Sequence, residues 1–138
     1  MLVEMAFTMP VLAILFLVAI DVGLLVREHQ ILQNAAREGA RFSALPENQV
    51  YPGNPGATLT AIKDFVVQYA AQEKITVSSA NVTVDQGYTI PISGGLVAYG
   101  SEVTVTYTRP FLTIGLPLLP LGSLQLTGRS VFRNLYGS

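Results

Sequence analysis

An apolar run near the front of the chain limits most strongly what this sequence can fold into. Residues 5–20 carry no charge, and the run continues past Asp21 to Val26. About 20 apolar residues in a helix span the hydrocarbon core of a bilayer, so the length fits a membrane-spanning helix. The segment nevertheless contains Glu4 and Pro10, which a helix that stays alone in lipid would avoid. Such a helix is expected to pack, at some stage, among other helices.

The run lacks the features of a secretory signal peptide. Such a peptide begins with basic residues, has an apolar stretch of about 7–15 residues and ends at a small-residue cleavage site. Here no basic residue precedes the run, and the sequence after it, REHQILQNAAREGARF, continues in a helical pattern. A retained helix of transmembrane length is therefore predicted.

The same helix is predicted to continue beyond the apolar run. After Val26, apolar and small residues recur every three or four positions, with polar and charged residues between them. No turn signal interrupts the pattern, so we predict one helix over residues 1–44, about 65 Å long. Residues 1–26 would form its membrane or filament-core segment. The residues predicted to pack the helix on the head are Ile31, Leu32, Ala35, Gly39 and Phe42.

The remaining residues, 45–138, are predicted to form a globular head. The segment LPENQVYPGNPGA ends the first helix, and helical spacing predicts a short second helix at about 57–72. Thr- and Val-rich segments with alternating polarity then predict three or four antiparallel strands over about 75–134. Between them, FLTIGLPLLPLG is predicted to be an exposed apolar loop that finds a partner. The predicted fold class is α+β, with the amphipathic part of the long helix packed on a small sheet.

Composition argues against several functional classes. The net charge is −1, which gives no electrostatic basis for nucleic-acid binding. The chain has no cysteine, and its one histidine, His29, offers little for a metal site or a catalytic triad. No Gly-rich phosphate loop or EF-hand spacing is visible. We therefore predict no enzymatic activity, no catalytic residues, no cofactor and no metal.

The N-terminal part of the sequence resembles a known family. The segment VEMAFTMPVLAILFLVAIDVGLLVREHQILQNAAREGARF is similar to the start of TadE-like proteins of tight-adherence (type IVc) pilus systems, within the type IV pilin superfamily. The most specific part of this similarity is LQNAAREGARF. Met5 stands where the family usually has Phe, and Met9 precedes Pro10. The resemblance implies a pilin-like fold and a structural role.

On this resemblance, the chain is predicted to be a subunit of an extracellular pilus, held in the cytoplasmic membrane before assembly. The implied partners are copies of itself in a helical homopolymer, the lipid bilayer, the inner-membrane assembly machinery and a prepilin peptidase. An upstream leader with Lys or Arg is also expected, for the peptidase to remove. Two alternatives stay open. One is a minor pseudopilin that primes or caps a pilus of another subunit, the role usually given to TadE-like proteins; the other is a monomeric membrane-anchored binding domain.

Residues of the apolar run are the predicted contacts between subunits. Glu4 is interpreted as pairing with a neighbour's α-ammonium group in a dry filament core, against the alternative of a position among lipid headgroups without a role. Asp21 lies about 25 Å further along the helix, where solvation is favoured over an intersubunit pair. Pro10 predicts a kink or a loosened turn near Ala6. The predicted filament-core residues are Met1, Glu4, Phe7, Pro10, Leu12, Phe16, Asp21 and Gly23.

Overall fold

Two helices and a three-stranded antiparallel sheet make up the part of the chain that the structure describes. This computed structural model describes residues 2–49, 55–111 and 122–134, so Met1 and most of the segment FLTIGLPLLPLG lie outside the described residues. The α+β arrangement of a long N-terminal helix, a second helix and a small sheet confirms the predicted fold class. The elements are α1 (Leu2–Ser43), α2 (Pro55–Gln72), β1 (Val82–Pro91), β2 (Val97–Pro110) and β3 (Ser123–Arg133).

The first helix, α1, is continuous over 42 residues. It runs through Pro10 without interruption, although proline has no N–H to donate to the carbonyl of Ala6. Residues 4–20 are exposed along their whole length, and we call them the apolar half. Residues 21–43 contain the buried positions of α1, and we call them the packed half.

The C-terminal end of α1 is tied to the sheet through Ser43. At a bulge in β1, the side chain of Gln86 donates to the Ser43 carbonyl oxygen at 3.3 Å and to Ser43 Oγ at 2.9 Å. The same Nε2 lies 2.8 Å from the carbonyl oxygen of Asn48. From β2, Ser101 Oγ donates to Ser43 Oγ. The last carbonyl groups of a helix have no donor within the helix. These bonds from the sheet supply donors to the end of α1.

The sheet has the order β1-β2-β3, and its middle strand is the longest. Pairing of β1 with β2 starts at Val82↔Val105, whereas pairing of β2 with β3 continues to Pro110↔Ser123. Residues 106–110 of β2 therefore pair only with residues 123–127 of β3. We call this two-stranded part the strand extension.

The sheet begins at Val82, later than the position near 75 that the sequence pattern indicated. Ile75 and Val77 are buried and alternate as strand residues do, but they lie in the connection between α2 and β1. The end of α2 explains this position. Lys74 adopts φ 64°, and the N–H of Ile75 bonds the carbonyl of Ala70, as in a Schellman cap. The apolar side chains thus close the core below α2 without joining a strand.

The hydrophobic core lies between the packed half of α1, α2 and one face of the sheet. Its buried members are Ile31, Leu32, Ala35, Ala36, Ala40, Val66, Ala70, Ile75, Val77, Val82, Val103, Val105 and Leu126. Two glycines allow the close approach of these layers. A Cβ at Gly39 would meet the side chain of Val66, and a Cβ at Gly128 would meet the backbone of Leu32.

Candidate functional site

The apolar half of α1 has no cover from the rest of the described chain. All residues from 4 to 20 are exposed. Among the large side chains, Phe7 is 76% exposed and Phe16 is 68% exposed. Burying one such side chain is worth about 1.5–3 kcal/mol, so many of them left in water would cost more than a domain's whole stability. Among the described residues, α1 is the one helix long and apolar enough to cross a membrane.

The predicted filament-core residues divide between two sides of α1. Phe7, Pro10 and Asp21 are spaced by three and eleven positions, which places them on the side that continues into the contact with the head. Leu12, Phe16 and Gly23 are spaced by four and seven, and they form a second side. Glu4 lies between the two sides, about 100° around the helix from each. No single stripe therefore holds all of these residues, so the apolar half can contact neighbours or lipid all round. Met1 lies outside the described residues.

Polar groups within the apolar half are partly satisfied by the helix itself. Thr8 Oγ1 donates to the carbonyl oxygen of Glu4 at 2.7 Å, a bond from position i to i−4. This bond removes the cost of placing a hydroxyl in lipid or in a helix bundle. The carbonyl of Ala6, which faces Pro10 in the helix ladder, receives no such bond from the proline nitrogen.

A buried ion pair marks the boundary between the apolar and packed halves. Arg109 Nη2 lies 2.8 Å from Asp21 Oδ1, and Arg109 Nη1 donates to the Asp21 carbonyl oxygen at 3.1 Å. The two residues are only 4% and 5% exposed. The prediction that Asp21 is solvated is therefore wrong, because the strand extension carries an arginine up to this point of the helix.

Glu28 joins this pair as a second carboxylate. Its Oε2 is 3.2 Å from Arg109 Nε, within ion-pair distance, and its side chain is 21% exposed. That oxygen nevertheless has no hydrogen bond of good geometry, so its interaction with the guanidinium is electrostatic. Asp21, Glu28 and Arg109 form what we call the ion-pair cluster, in which Asp21 makes the directional contacts.

The sequence contained a signal for this cluster. Asp21, Leu25, Glu28, Leu32 and Ala35 follow one another at spacings of four, three, four and three, so both acids lie on the packing stripe. On β2, Arg109 follows Val103, Val105 and Tyr107 at successive spacings of two, which places it on the same inward face of the strand. A charged side chain on a buried face needs a partner of opposite sign. The helix pattern contains the acids, and the strand pattern contains the arginine.

The predicted helix-to-head residues lie where α1 meets the head. Ile31, Leu32, Ala35 and Gly39 are buried, and the first three belong to the core. Phe42 is half-buried and stacks on Phe65 of α2, with ring centroids 4.5 Å apart and ring planes 13° from parallel. The stripe therefore packs on the sheet over most of its length and on α2 at its end.

An ion pair on the outer face of the sheet is separate from these contacts. Arg129 binds Glu102 through two hydrogen bonds, Nε to Oε1 at 2.6 Å and Nη2 to Oε2 at 2.9 Å. The hydrogen bond from Arg129 is the main cause that lowers the pKa of Glu102 below its ordinary value. The guanidinium carbon also lies 5.7 Å from the ring centroid of Tyr88. Because Arg129 is more than half exposed, this is a surface cross-strand contact.

Comparison with known proteins points to one family. Residues 1–41 match the family model described as TadE-like protein, which confirms the resemblance seen in the sequence. The match covers the apolar half and nearly all of the packed half. TadE-like proteins form a structural, non-enzymatic family associated with tight-adherence pilus systems. No curated protein and no solved structure gives a significant match. Over the residues described here, no cluster of three or more His, Asp or Glu side chains could hold a metal ion.

Proposed function

We propose that this chain is a structural subunit of an extracellular, tight-adherence-type pilus. It is held in the cytoplasmic membrane through the apolar half of α1 and then assembles into a filament in which the apolar halves of many copies pack together. The observation that carries the proposal is the complete exposure of residues 4–20 on a helix whose remaining length is fixed to the head. An apolar helix in this position needs lipid before assembly and neighbouring helices after it.

Two residues in the apolar half favour assembly over a permanent place in lipid. Glu4 brings a carboxylate into the segment, and an ionisable group within a membrane is costly and normally has a functional role. Pro10 withholds a donor from the Ala6 carbonyl, and lipid supplies none. A bundle of helices can offer cations and hydroxyl groups to both. The segment is therefore better suited to a protein core than to single passage through a bilayer.

The rigid attachment of the helix to the head also suits a filament. α1 is tied to the sheet at Asp21 by the ion-pair cluster and at Ser43 by the bonds from Gln86 and Ser101. Between these points Gly39 and Gly128 allow close contact. When helices pack side by side, such subunits present their heads at regular positions on the outside. In this proposal the partners are copies of the chain, the assembly machinery of the inner membrane and a prepilin peptidase.

A minor pseudopilin is a second candidate, favoured by the family match over residues 1–41. It would use the same helix to enter a filament built mainly from another subunit. The two candidates differ in the number of copies per filament and not in the contact surface. Counting copies along the filament therefore separates them.

Immunogold electron microscopy of pili from cells that produce the chain provides this test. With an antibody against the head, labelling along the whole filament supports the structural subunit. Labelling only at a filament end supports the pseudopilin instead. If the chain stays in the membrane fraction and no filament is labelled, both proposals are wrong and the monomeric anchored domain is favoured. Filaments formed by the purified chain after detergent removal would show independently that one subunit type is sufficient.

A further inference from the structure

Contact between α1 and the head starts at Asp21, whereas the exposed apolar surface of the helix continues to Val26. The strand extension reaches Asp21 through Arg109, yet Val22 and Val26 remain 54% and 49% exposed. The first well-exposed charges beyond them are Arg27 and its partner Glu73, whose side chains are 62% and 53% exposed. The head and the exposed apolar surface of the helix thus overlap over residues 21–26.

The length of the helix places this overlap at a definite depth in a bilayer. Residues 2–20 rise about 28 Å at 1.5 Å per residue, close to the roughly 30 Å of a hydrocarbon core. Residues 21–26 add about 9 Å, comparable with a headgroup layer, which takes up roughly 5–7 Å on each side. The part of the head beside residues 21–26 would then lie at headgroup depth.

The composition of the strand extension is compatible with this depth. Its ten residues include one charged residue, Arg109, which is 5% exposed and paired with Asp21. Its exposed positions are hydroxyl, amide or apolar side chains, among them Thr108, Gln125 and Leu124. The other charged residues of the sheet all lie outside the extension, and they are Asp85, Glu102, Arg129 and Arg133.

We propose that the strand extension, residues 106–110 and 123–127, is a membrane-contact surface that enters the headgroup layer beside α1. The inference rests on the proposed function, since it requires the apolar half to be inserted in a bilayer before assembly. Pairing with Asp21 keeps the guanidinium of Arg109 inside the head, so the surface that the extension turns toward the lipid carries no charged side chain. The partner is the lipid surface itself, and the head is docked on the membrane instead of being held away from it.

Site-specific fluorescence quenching in vesicles tests this proposal. The chain has no cysteine, so single-cysteine variants of the full chain can carry one polarity-sensitive fluorophore. Leu124→Cys and Phe132→Cys form a matched pair, since these side chains are 38% and 39% exposed on the same face of β3. They are eight residues apart, or about 26 Å. Ser123→Cys, a nearly isosteric change at an exposed position, provides a second probe within the extension.

The vesicles contain phosphatidylethanolamine and phosphatidylglycerol, with a lipid that carries a nitroxide on its headgroup. We expect the fluorophores at positions 124 and 123 to be quenched several-fold more than the one at position 132. Equal quenching at positions 124 and 132 would overturn the inference, because the head would then not be oriented by the extension. Absence of quenching at both 123 and 124 would overturn it as well.

A third label separates this inference from the proposed function. Phe16→Cys lies within the apolar half, four residues before its end, and reports insertion when the nitroxide is placed on the acyl chain. If position 16 is quenched and positions 123 and 124 are not, the helix is inserted and only the headgroup contact is wrong. If position 16 is not quenched, membrane insertion fails, and the inference fails with it.

Discussion

Arg109 of β2 holds both the side chain and the backbone of Asp21, a residue 88 positions earlier in the chain. One guanidinium nitrogen lies 2.8 Å from the carboxylate, and another lies 3.1 Å from the carbonyl oxygen. The planar fork of arginine permits this double contact, which the point charge of lysine would not reproduce. The contact fixes the end of the strand extension to one turn of α1. Together with the bonds at Ser43, it fastens the packed half of the helix at both of its ends.

The first prediction concerns the loss of this pair. Asp21→Asn removes the charge of the main carboxylate, so the buried guanidinium of Arg109 keeps its bond to the backbone carbonyl oxygen of residue 21 but has only Glu28 as an anionic partner. Removing one partner of a buried pair typically costs about 3–5 kcal/mol, and we expect a loss near the lower end because Glu28 remains. Chemical denaturation of the full chain in detergent, followed by circular dichroism, measures this loss.

Two further variants define the role of each member of the cluster. Glu28→Gln removes the more exposed acid, which makes no hydrogen bond to Arg109, so its effect should be clearly smaller. The triple variant Asp21→Leu, Glu28→Gln and Arg109→Met removes all three charges together and should recover most of the stability. Equal losses for Asp21→Asn and Glu28→Gln would contradict the assignment of Asp21 as the main partner.

Sequence spacing predicted the two halves of α1 because helix periodicity is a local property. The exposed apolar half needs no knowledge of other segments, and the stripe at Leu32, Ala35 and Gly39 repeats within a few turns. The environment of Asp21 was not predictable in the same way. Its partner depends on how far β2 extends and on the register that brings Arg109 to the helix, both of which are tertiary properties.

The first strand shows a second limit of local patterns. Ile75 and Val77 alternate with polar residues and are buried, as residues of a strand would be. Alternation reports which side chains face the core, however, and not whether the backbone has a neighbouring strand to pair with. Gly128 was missed for a related reason, since the backbone of Leu32 that it contacts is remote in sequence.

The second prediction concerns overpacking between α1 and the head. Gly39→Leu would drive a side chain into Val66 and Val103, the latter 3.3 Å from a Cβ at this position. We expect a loss of about 1–3 kcal/mol in the unfolding free energy of the full chain. Gly23→Leu is the matched control, because nothing lies within 4 Å of a Cβ placed there. An unchanged stability for Gly39→Leu would show that this face of the helix can move away from the sheet.

The third prediction ranks two glycines by what surrounds them. A Cβ at Gly128 would press on the Leu32 carbonyl and lie 2.9 Å from the backbone nitrogen of Gln33. At Gly39 the close atoms belong to valine side chains, which can shift more easily than a helix backbone. We therefore expect Gly128→Ala to lower the melting temperature more than Gly39→Ala, with an unfolding cost of about 1–3 kcal/mol. The reverse order would mean that β3 adjusts more readily than the core.

The fourth prediction concerns pH and the pair between Glu102 and Arg129. The hydrogen bond from Arg129 lowers the pKa of Glu102 below its ordinary value of 4.5. A lowered pKa in the folded state stabilises the fold above the ordinary value, and this contribution is lost as the pH falls through the lowered one. The stability difference between the native chain and Glu102→Gln should therefore be constant near neutral pH and shrink below pH 4.5. Because Arg129 is more than half exposed to solvent, which screens the pair, the difference should stay smaller than that of Asp21→Asn. A difference that grows on acidification would contradict the pairing.

The last prediction concerns Glu4, the acid within the exposed apolar half. In a filament core this carboxylate would lose its water, and an ionised group removed from water needs a cation close by. The α-ammonium group at the start of a neighbouring helix is the candidate. Glu4→Leu and Glu4→Gln should therefore leave membrane insertion and the melting temperature of the head unchanged, because residues 4–20 do not contact the head core. Both variants should sharply reduce the number of filaments per cell seen by electron microscopy.

The Glu4→Leu variant distinguishes a pilus subunit from a monomeric membrane-anchored domain. For an anchor, Glu4→Leu removes a costly charge and should strengthen membrane attachment without any loss of function. For a filament subunit, the same change removes the partner of a cation that is buried during assembly. Leu15→Ala provides a control, because Leu15 is 60% exposed in the same half, is not among the predicted filament-core residues and carries no charge. If the Glu4→Leu variant forms as many filaments as the native chain, the pairing role is wrong. Glu4 would then lie among lipid headgroups, and the apolar side chains alone would make the assembly contacts.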